Sequence, residues 1–568
     1  MRVFRFLLFL SVVMVIASSC NRDEVITTQP APEIVLEGDG TYSVMIGEEI
    51  RLKPDYRNAE GATFEWRMDE EVVGTERAYV FMSEEVGEYY VTLTVTTDAG
   101  SDSEEMRIDV TAHETPAIDI AMEDIVVAVG YKQTIMATLR KTEHECEVRW
   151  TVNDEEVATD VTTYEFEATE VGTYHIVATA TNPHGEASDS VTIEVVNAED
   201  LDLIYEFATT EYHITEGRTL LISPTALNKD EGVTYTWTLD GESNATEWNR
   251  PHFVFNSTEV GTHTLEVTAT TYINQPIEVS LSFTVEVIEE GKYRRERTAS
   301  STGIFSEVIE YLPAPGQFIG DMKTGGFTGE ELTAEDAANY AERRLRQNNW
   351  VSLGAFGGYI IVGFDHSIEN ISGADIAITG NSFDGSSEPG VVWVMQDENG
   401  NGKADDTWYE LRGSETGKGT TIQEYEVTYY RPISPGMPVG WSDNRGGSGT
   451  VDYLSSFHNQ PWYYPTWVTE DSYKLRGTRL EPRNYDRSGN GSMWVLPAYD
   501  WGYVDNASPM DCADAINSLD IANAIDILGR SIELEYIDFV KIQSAVQSKS
   551  GWLGEQSTEV CNIVEILN

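Results

Sequence analysis

The chain has 568 residues, with 37 Lys plus Arg against 96 Asp plus Glu and a formal charge of −59. It lacks the basic footprint that nucleic-acid binding needs, and so acidic a surface repels phosphate and concentrates cations. Its four cysteines (Cys20, Cys146, Cys512 and Cys561) are too few for a disulfide scaffold, and its length suffices for about three to five domains, each with its own core.

Arg2 and Arg5 precede an apolar run from Phe6 to Ile16, and Ala17-Ser18-Ser19 stands directly before Cys20. This pattern resembles a bacterial lipoprotein signal over residues 1–20, with Cys20 lipidated as the first mature residue. Ala17 departs from it, because such signals usually carry Leu there. The alternatives are an ordinary secretory signal cut nearby, or a buried cysteine. Each buried CH₂ contributes about 0.8 kcal/mol, so several acyl chains would anchor the protein almost permanently. Beyond this run no stretch approaches 18 uninterrupted apolar residues, and no second span is expected. Residues 21–32 read as a polar, Pro-containing tether. Asp23-Glu24 resembles the export signal of surface-exposed lipoproteins in the Bacteroidetes, which implies an outer-membrane, surface-exposed location.

Three segments then match one another. Glu-Val-Gly begins at residues 85, 170 and 259, each time followed by an alternating β-branched run, and Trp66, Trp150 and Trp237 precede the three copies. A fixed period with strand-like alternation predicts one β-sandwich used three times, with each Trp mid-strand between two sheets. The units are placed at 33–112, 116–197 and 200–290. They resemble the PKD family, especially the PKD-like, Ig-like modules of Bacteroidetes surface proteins. Their exposed positions are mostly Glu, Asp and Thr, so they are read as a stalk. Cys146, two residues before the Val148–Trp150 alternation, is expected to be a free, buried thiol.

The stretch "VEVIEEGKYRRERTASSTG" reads as a linker into a domain at 300–568, which holds nine of the 13 Trp. One helix is predicted over "TAEDAANYAERRLRQ", with Thr333 as N-cap, Glu335 and Asp336 in the first turn, and Arg343, Arg344 and Arg346 in the last. The rest alternates in short strands, so the fold class is all-β: three PKD/Ig-like sandwiches followed by a larger jelly-roll-like β-sandwich with one helical insertion. Cys512 and Cys561 can pair in an oxidising compartment or stay free; a disulfide between them would close a loop of about 49 residues and contribute roughly 4 kcal/mol in the chain-entropy model. "VSLGAFGGYIIVGFDHSI", "EPGVVWVMQDENGNGKADDTWYELRGSE" and "IDFVKIQSAV" resemble the C-terminal domain of Bacteroidetes cell-surface proteins with PKD-like repeats. That resemblance implies a binding lipoprotein that accompanies outer-membrane uptake systems, including those for corrinoids.

Two constellations stand out in this domain. "DENGNGKADD" places Asp397, Asn399, Asn401, Gly402, Lys403 (through its carbonyl) and Asp405 at positions 1, 3, 5, 6, 7 and 9 of a calcium-binding loop, with Asp406 adding a carboxylate. Trp408 replaces the bidentate Glu of position 12, and the flanks predict strands, so the motif departs from an EF-hand. Calcium is the cofactor expected here; the alternative is a hairpin turn, since Asn-Gly is a strong hairpin signal. "HNQPWYYPTW" sets Trp462, Tyr463, Tyr464 and Trp467 on a Pro-stiffened loop, and "WGYVDN" adds Trp501 and Tyr503. These aromatics are expected to stack on a sugar ring or flat apolar ligand; the alternative is a loop packed into the core. No Gly-x-Ser-x-Gly elbow, His-Glu-x-x-His or phosphate loop occurs. The chain therefore reads as a non-catalytic surface binding protein for a glycan or small-molecule nutrient, with an outer-membrane transporter as a further partner. A glycan-acting enzyme and a purely adhesive protein are the rival readings.

Overall fold

The computed structural model describes residues 30–229, 232–243, 247–271 and 277–567. The signal at 1–20 with Cys20, and most of the tether, lie outside the described residues. Among the described residues no helix is long and apolar enough to cross a membrane. The chain divides into two compact units, residues 1–114 and 115–568.

In the first unit, alternation places Val91, Leu93 and Val95 on one face of the strand Gly87–Thr97, all fully buried. That strand sits inside a five-stranded sheet ordered Thr41–Met45, Gly100–Thr111, Gly87–Thr97, Thr63–Met68, Glu71–Gly74. Thr41–Met45 runs parallel to its neighbour and the other pairs are antiparallel. Two short pairs, Ile50–Leu52 with Tyr79–Phe81 and Glu33–Val35 with Asp55–Arg57, contribute Leu52, Phe81 and Ile34 to the same core.

The second unit opens with the same sheet twice: Ile125–Ala128, Gly185–Val196, Gly172–Asn182, Glu147–Val152, Glu155–Thr159, and then Glu211–Thr215, Glu278–Ile288, Gly261–Thr271, Val233–Leu239, Glu242–Ser243. Both keep the parallel first pair. Trp66, Trp150 and Trp237 are at most 1% exposed. A buried indole N–H needs an acceptor, and each finds one on the chain shortly downstream: Glu76 O at 2.8 Å, Val161 O at 2.9 Å and Arg250 O at 2.8 Å. Cys146 is a free thiol, but half-buried at the edge of its module's core rather than fully enclosed.

Residues 307–565 form a larger antiparallel β-sandwich. Its sheets have six strands (Glu307–Leu312, Tyr359–Glu369, Tyr536–Ser544, Gly390–Met395, Trp408–Leu411, Ala524–Ile525), four (Ser448–Val451, Val439–Asp443, Ile422–Tyr430, Ser472–Arg479) and four (Cys512–Ala513, Ile516–Leu519, Ile376–Thr379, Asn562–Glu565). The helix Ala334–Arg346 starts at Thr333, whose side chain and that of Asp336 form a reciprocal capping box. It buries Ala337, Tyr340, Ala341 and Leu345, a 3–4 residue spacing that puts one face on the core.

The second and third repeats are not free spacers, because they pack on this sandwich within one unit. An added Cβ on Gly440 would fall 2.4 Å from the Ala121 Cβ, and Ser472 donates to Glu123. From the third repeat, the Thr215 N–H donates to Glu398 at 2.7 Å, and the buried Arg218 guanidinium pairs with Glu290 and Glu398 and donates to Gln396. The stretch read as a linker is clamped too: Arg294 pairs with Glu369, Arg295 with Asp538 at 2.9 Å, and Arg297 with Glu565.

Asp119 in the second repeat is 6% exposed, and burial, with Asp189 beside it, pushes its carboxyl up to about 7. A folded-state value above the unfolded one favours the neutral acid, so stability is lost as pH rises from about 4 to 7. Asp119→Asn keeps the shape without the charge. It should be more stable than the parent at pH 8 by up to about 4 kcal/mol and nearly equal to it at pH 4. Thermal melts at the two pH values check this; equal gains at both would show that Asp119 does not carry the effect.

Candidate functional site

The loop at 397–406 joins the strands Gly390–Met395 and Trp408–Leu411, which pair through Trp393 with Glu410, Val394 with Tyr409 and Met395 with Trp408. It is therefore a long hairpin connection, buried at Asp397 and Glu398 and exposed at Asn401, Lys403 and Asp405. Asp397 is buried; its Oδ1 accepts the N–H groups of Gly400 at 2.8 Å and Asn401 at 3.1 Å, and its Oδ2 that of Gly402 at 2.9 Å. Asn399 and Asn401 accept the N–H groups of Asn401 and Lys403. Both amides donate to Asp405, at 3.1 Å and 3.0 Å, and Asn399 also to Asp406 at 3.1 Å. A cation beside Asp405 would need both amides to turn their oxygens toward it and give up the backbone N–H groups they now accept. The residue set fits a hard cation only after that rearrangement. The Asp397 N–H donates to Asp538, which is itself held by Arg295 and Ser367, so the loop is tied to the buried sheet. One residue on, Glu398 is buried; burial pushes its carboxyl up to about 7, opposed by Arg218.

The aromatic constellation is core. Tyr463, Tyr464, Trp467 and Tyr503 are buried, with no face left for a ligand. Trp467 packs with Phe327 and Tyr311, and the hydroxyls of Tyr463 and Tyr464 donate to the carbonyls of His458 and Glu470. Trp462 and Trp501 are half-buried. The stacking surface expected from these six residues is not formed; Pro461 and Pro465 turn the loop so that its rings enter the sandwich.

Cys512 and Cys561 are free thiols, not the disulfide that the sequence allows. Cys512 sits on one outer strand of a sheet and Cys561 directly precedes the other, Asn562–Glu565, with Ile516–Leu519 and Ile376–Thr379 between them. Three strand spacings of about 4.8 Å exceed the Cα separation of about 7 Å that a disulfide spans.

A site that the sequence did not reveal lies elsewhere in the same sandwich. Glu388, Asp505 and Glu559 bring carboxylate oxygens within 4.8 Å of one another. Asp505 Oδ1 accepts the Asn381 N–H and Oδ2 the Glu559 N–H, both at 2.9 Å, while Glu388 Oε1 accepts the Ser557 N–H at 3.2 Å. Burial first, then the neighbouring carboxylates, pushes Glu388 and Glu559 well above the usual carboxyl range. Glu555 joins them, its Oε1 accepting the Gln317 N–H at 2.7 Å. Backbone room is part of the arrangement: a Cβ on Gly380 would lie 2.4 Å from Asp505 Oδ1, and one on Gly316 2.6 Å from Glu555 Oε1. Glu388, Glu555 and Glu559 line a cleft of about 310 Å³, together with Phe318, Trp350, Phe457, His458 and Trp552, while Asp505 lies buried behind them. Phe457 and Trp552 are 58% and 46% exposed and their rings lie 6.0 Å apart. Only Glu555, Ser557 and Glu559 are close in sequence, at an i, i+2, i+4 spacing that puts them on one side of an extended segment. Nothing in the sequence links them to Glu388 or Asp505.

A family model described as a PKD-like domain matches residues 30–97. Curated proteins yield no match. Among solved structures, the chain is similar to an I-band fragment of titin (13% identity, 46% of this chain and 99% of that one, TM-score 0.20). It is also similar to the three N-terminal domains of the highly immunogenic outer capsid protein of bacteriophage RB49 (15% identity, 46% and 99%, TM-score 0.21) and to immunoglobulin domains 1–4 of Sidekick-1 (13% identity, 51% and 82%, TM-score 0.17). The repeated β-sandwich architecture itself is established by the strand pairing above.

Proposed function

We propose that this chain is a non-catalytic surface binding protein, anchored in the outer membrane through lipid on Cys20, whose C-terminal sandwich captures a nutrient ligand in the cleft lined by aromatics and acids. The observation that carries this reading is the pairing of half-exposed Phe457 and Trp552 with carboxylates that line the same cleft. Aromatic faces stack on a sugar ring or a flat apolar ligand, and carboxylates accept hydrogen bonds from hydroxyls or amides. A volume of about 310 Å³ is at the small end for ligand pockets, which suits one sugar or one lobe of a larger corrinoid-type molecule. An outer-membrane transporter would receive the cargo. The Ig/PKD-like build supports a second reading, a structural or adhesive role without small-molecule cargo.

Titration of tryptophan fluorescence with an oligosaccharide panel and with cobalamin tests capture. A ligand from this set should bind the parent, and Phe457→Ala with Trp552→Ala should weaken it at least tenfold. A ligand bound equally by both proteins would move the site elsewhere, and no binding across the panel would favour the adhesive reading.

The loop at 397–406 would hold calcium through Asp397, Asn399, Asn401, the Lys403 carbonyl, Asp405 and Asp406, fixing Trp408 and the hairpin without touching cargo. Calcium titration of chelator-treated protein should show one ion fewer per chain after Asp397→Asn with Asp405→Asn. Equal stoichiometry in the two proteins would leave the loop a plain hairpin connection.

Anchoring rests on the Ala17-Ser18-Ser19-Cys20 pattern. Cys20→Ala should release the protein from the membrane fraction or leave the precursor uncut. Mature protein that remains membrane-bound with alanine at that position would exclude the lipid anchor.

A further inference from the structure

We propose that Glu388, Asp505 and Glu559 form a second cation site, a binding site for one hard divalent ion, calcium by preference, bordering the aromatic cleft that Glu388 and Glu559 line. It is separate from the loop at 397–406 and stands whether or not the cleft captures a nutrient.

The first observation is convergence. Three carboxylates from distant parts of the chain each present an oxygen within 4.8 Å of the other two. Like charges so close repel strongly in a poorly hydrated interior. Among the described residues no Lys or Arg pairs with Glu388, Asp505 or Glu559, although the fold supplies arginines to buried acids elsewhere, as Arg218 does for Glu398 and Arg295 for Asp538.

The second observation is independent of the clustering. Glu559 is 3% exposed, and no N–H or O–H donates to its Oε1; its carboxyl lies instead against the carboxyls of Glu388 and Asp505, with Ser557 beside it. Glu555 Oε2 is buried and also without a donor. Glu555 lines the cleft with Glu559, and the Ser382 N–H reaches Asp505. Buried oxygens without partners are costly, and a cation that accepts their lone pairs satisfies them. The carboxylate oxygens that do have partners take backbone N–H groups, which fix their direction and leave lone pairs free.

Donor chemistry sets the class of ion. The cluster is all oxygen, which suits calcium, magnesium or manganese rather than zinc or copper. Cys561 is near, but its thiol donates to the Gly380 carbonyl, and it does not join the three acids. Calcium accepts irregular geometry and higher coordination than three carboxylates supply, and Glu388 is only half-buried, so water or a ligand hydroxyl from the cleft completes the shell.

The test uses the full chain carrying Asp397→Asn and Asp405→Asn, which disables the loop. After chelator treatment, isothermal titration with calcium at pH 7.5 should show one ion per chain. Adding Glu388→Gln and Glu559→Gln should weaken it at least tenfold. A second reading keeps the test decisive if affinity is modest. In chelator, the Gln pair should melt higher than its parent because repulsion is relieved, and calcium should raise the melting temperature of the parent only. Terbium, excited through tryptophan, should emit from the parent and be displaced by calcium. The proposal is overturned if the loop-disabled chain binds no ion, or if the Gln pair binds calcium and terbium as well as its parent does. Retention of nutrient binding in chelator would leave the metal site standing as structural; metal binding without any nutrient would remove capture and leave the site.

Discussion

Burying carboxylates in a chain with 37 basic residues is the constraint on which residues 115–568 depend. Most acids lie at the surface, where water solvates them. Those inside need a cation, a cradle of N–H donors, or a proton. Arg218 shows the first solution. Its guanidinium is 4% exposed at the side chain, pairs with Glu290 and Glu398, and donates to Gln396, so the third repeat meets the sandwich through a desolvated charge network. Removing Arg218 alone would leave Glu398 buried without its counter-charge, so the network fixes which surfaces meet more than it adds to stability. Arg295 does the same for Asp538, and through Asp538 for the first residue of the polar loop. Asp397 shows the second solution, with three N–H groups on one carboxylate. Glu388, Asp505 and Glu559 have N–H donors for some of their oxygens but no arginine, which sets them apart from Glu398 and Asp538.

What the sequence revealed follows from how local each signal is. The repeats were legible because alternation and the Trp position belong to single strands, and the same sheet order recurs in all three. The helix at Ala334–Arg346 was legible because its cap, charge gradient and apolar spacing lie within one short segment. The polar loop was legible as a hairpin connection rich in Asx side chains, whose hydrogen bonds run to its own backbone and to one another.

The failures share a different cause. Trp467 and Tyr464 look the same in sequence whether their rings face water or Phe327 and Tyr473; only the path of neighbouring segments decides. Cys512 and Cys561 are an attractive pair when only two cysteines remain, but sheet order puts two strands between them. The arginines of the 291–299 stretch look like linker composition, yet their partners Glu369, Asp538 and Glu565 lie tens to hundreds of residues away. Glu388, Asp505 and Glu559 are the extreme case: in a chain with 96 acids no pair is informative until the fold brings it together.

The strand Gly390–Met395 joins the two acidic places. Its first residue bonds to Val504, next to Asp505, and follows Pro389 and Glu388; its last residue leads into Gln396 and Asp397. Six extended residues span roughly 20 Å at about 3.3–3.4 Å each. The strand is paired along its whole length with Tyr536–Ser544, and all of its residues but Trp393 are buried. A β-strand held on both faces transmits displacement poorly, because a one-residue slip would invert every side chain. Charge at the loop therefore has little mechanical route to the cleft. One rigid strand thus carries both acidic places, and each is held by its own donors: backbone N–H groups and Asn amides at the loop, backbone N–H groups at Glu388 and Asp505.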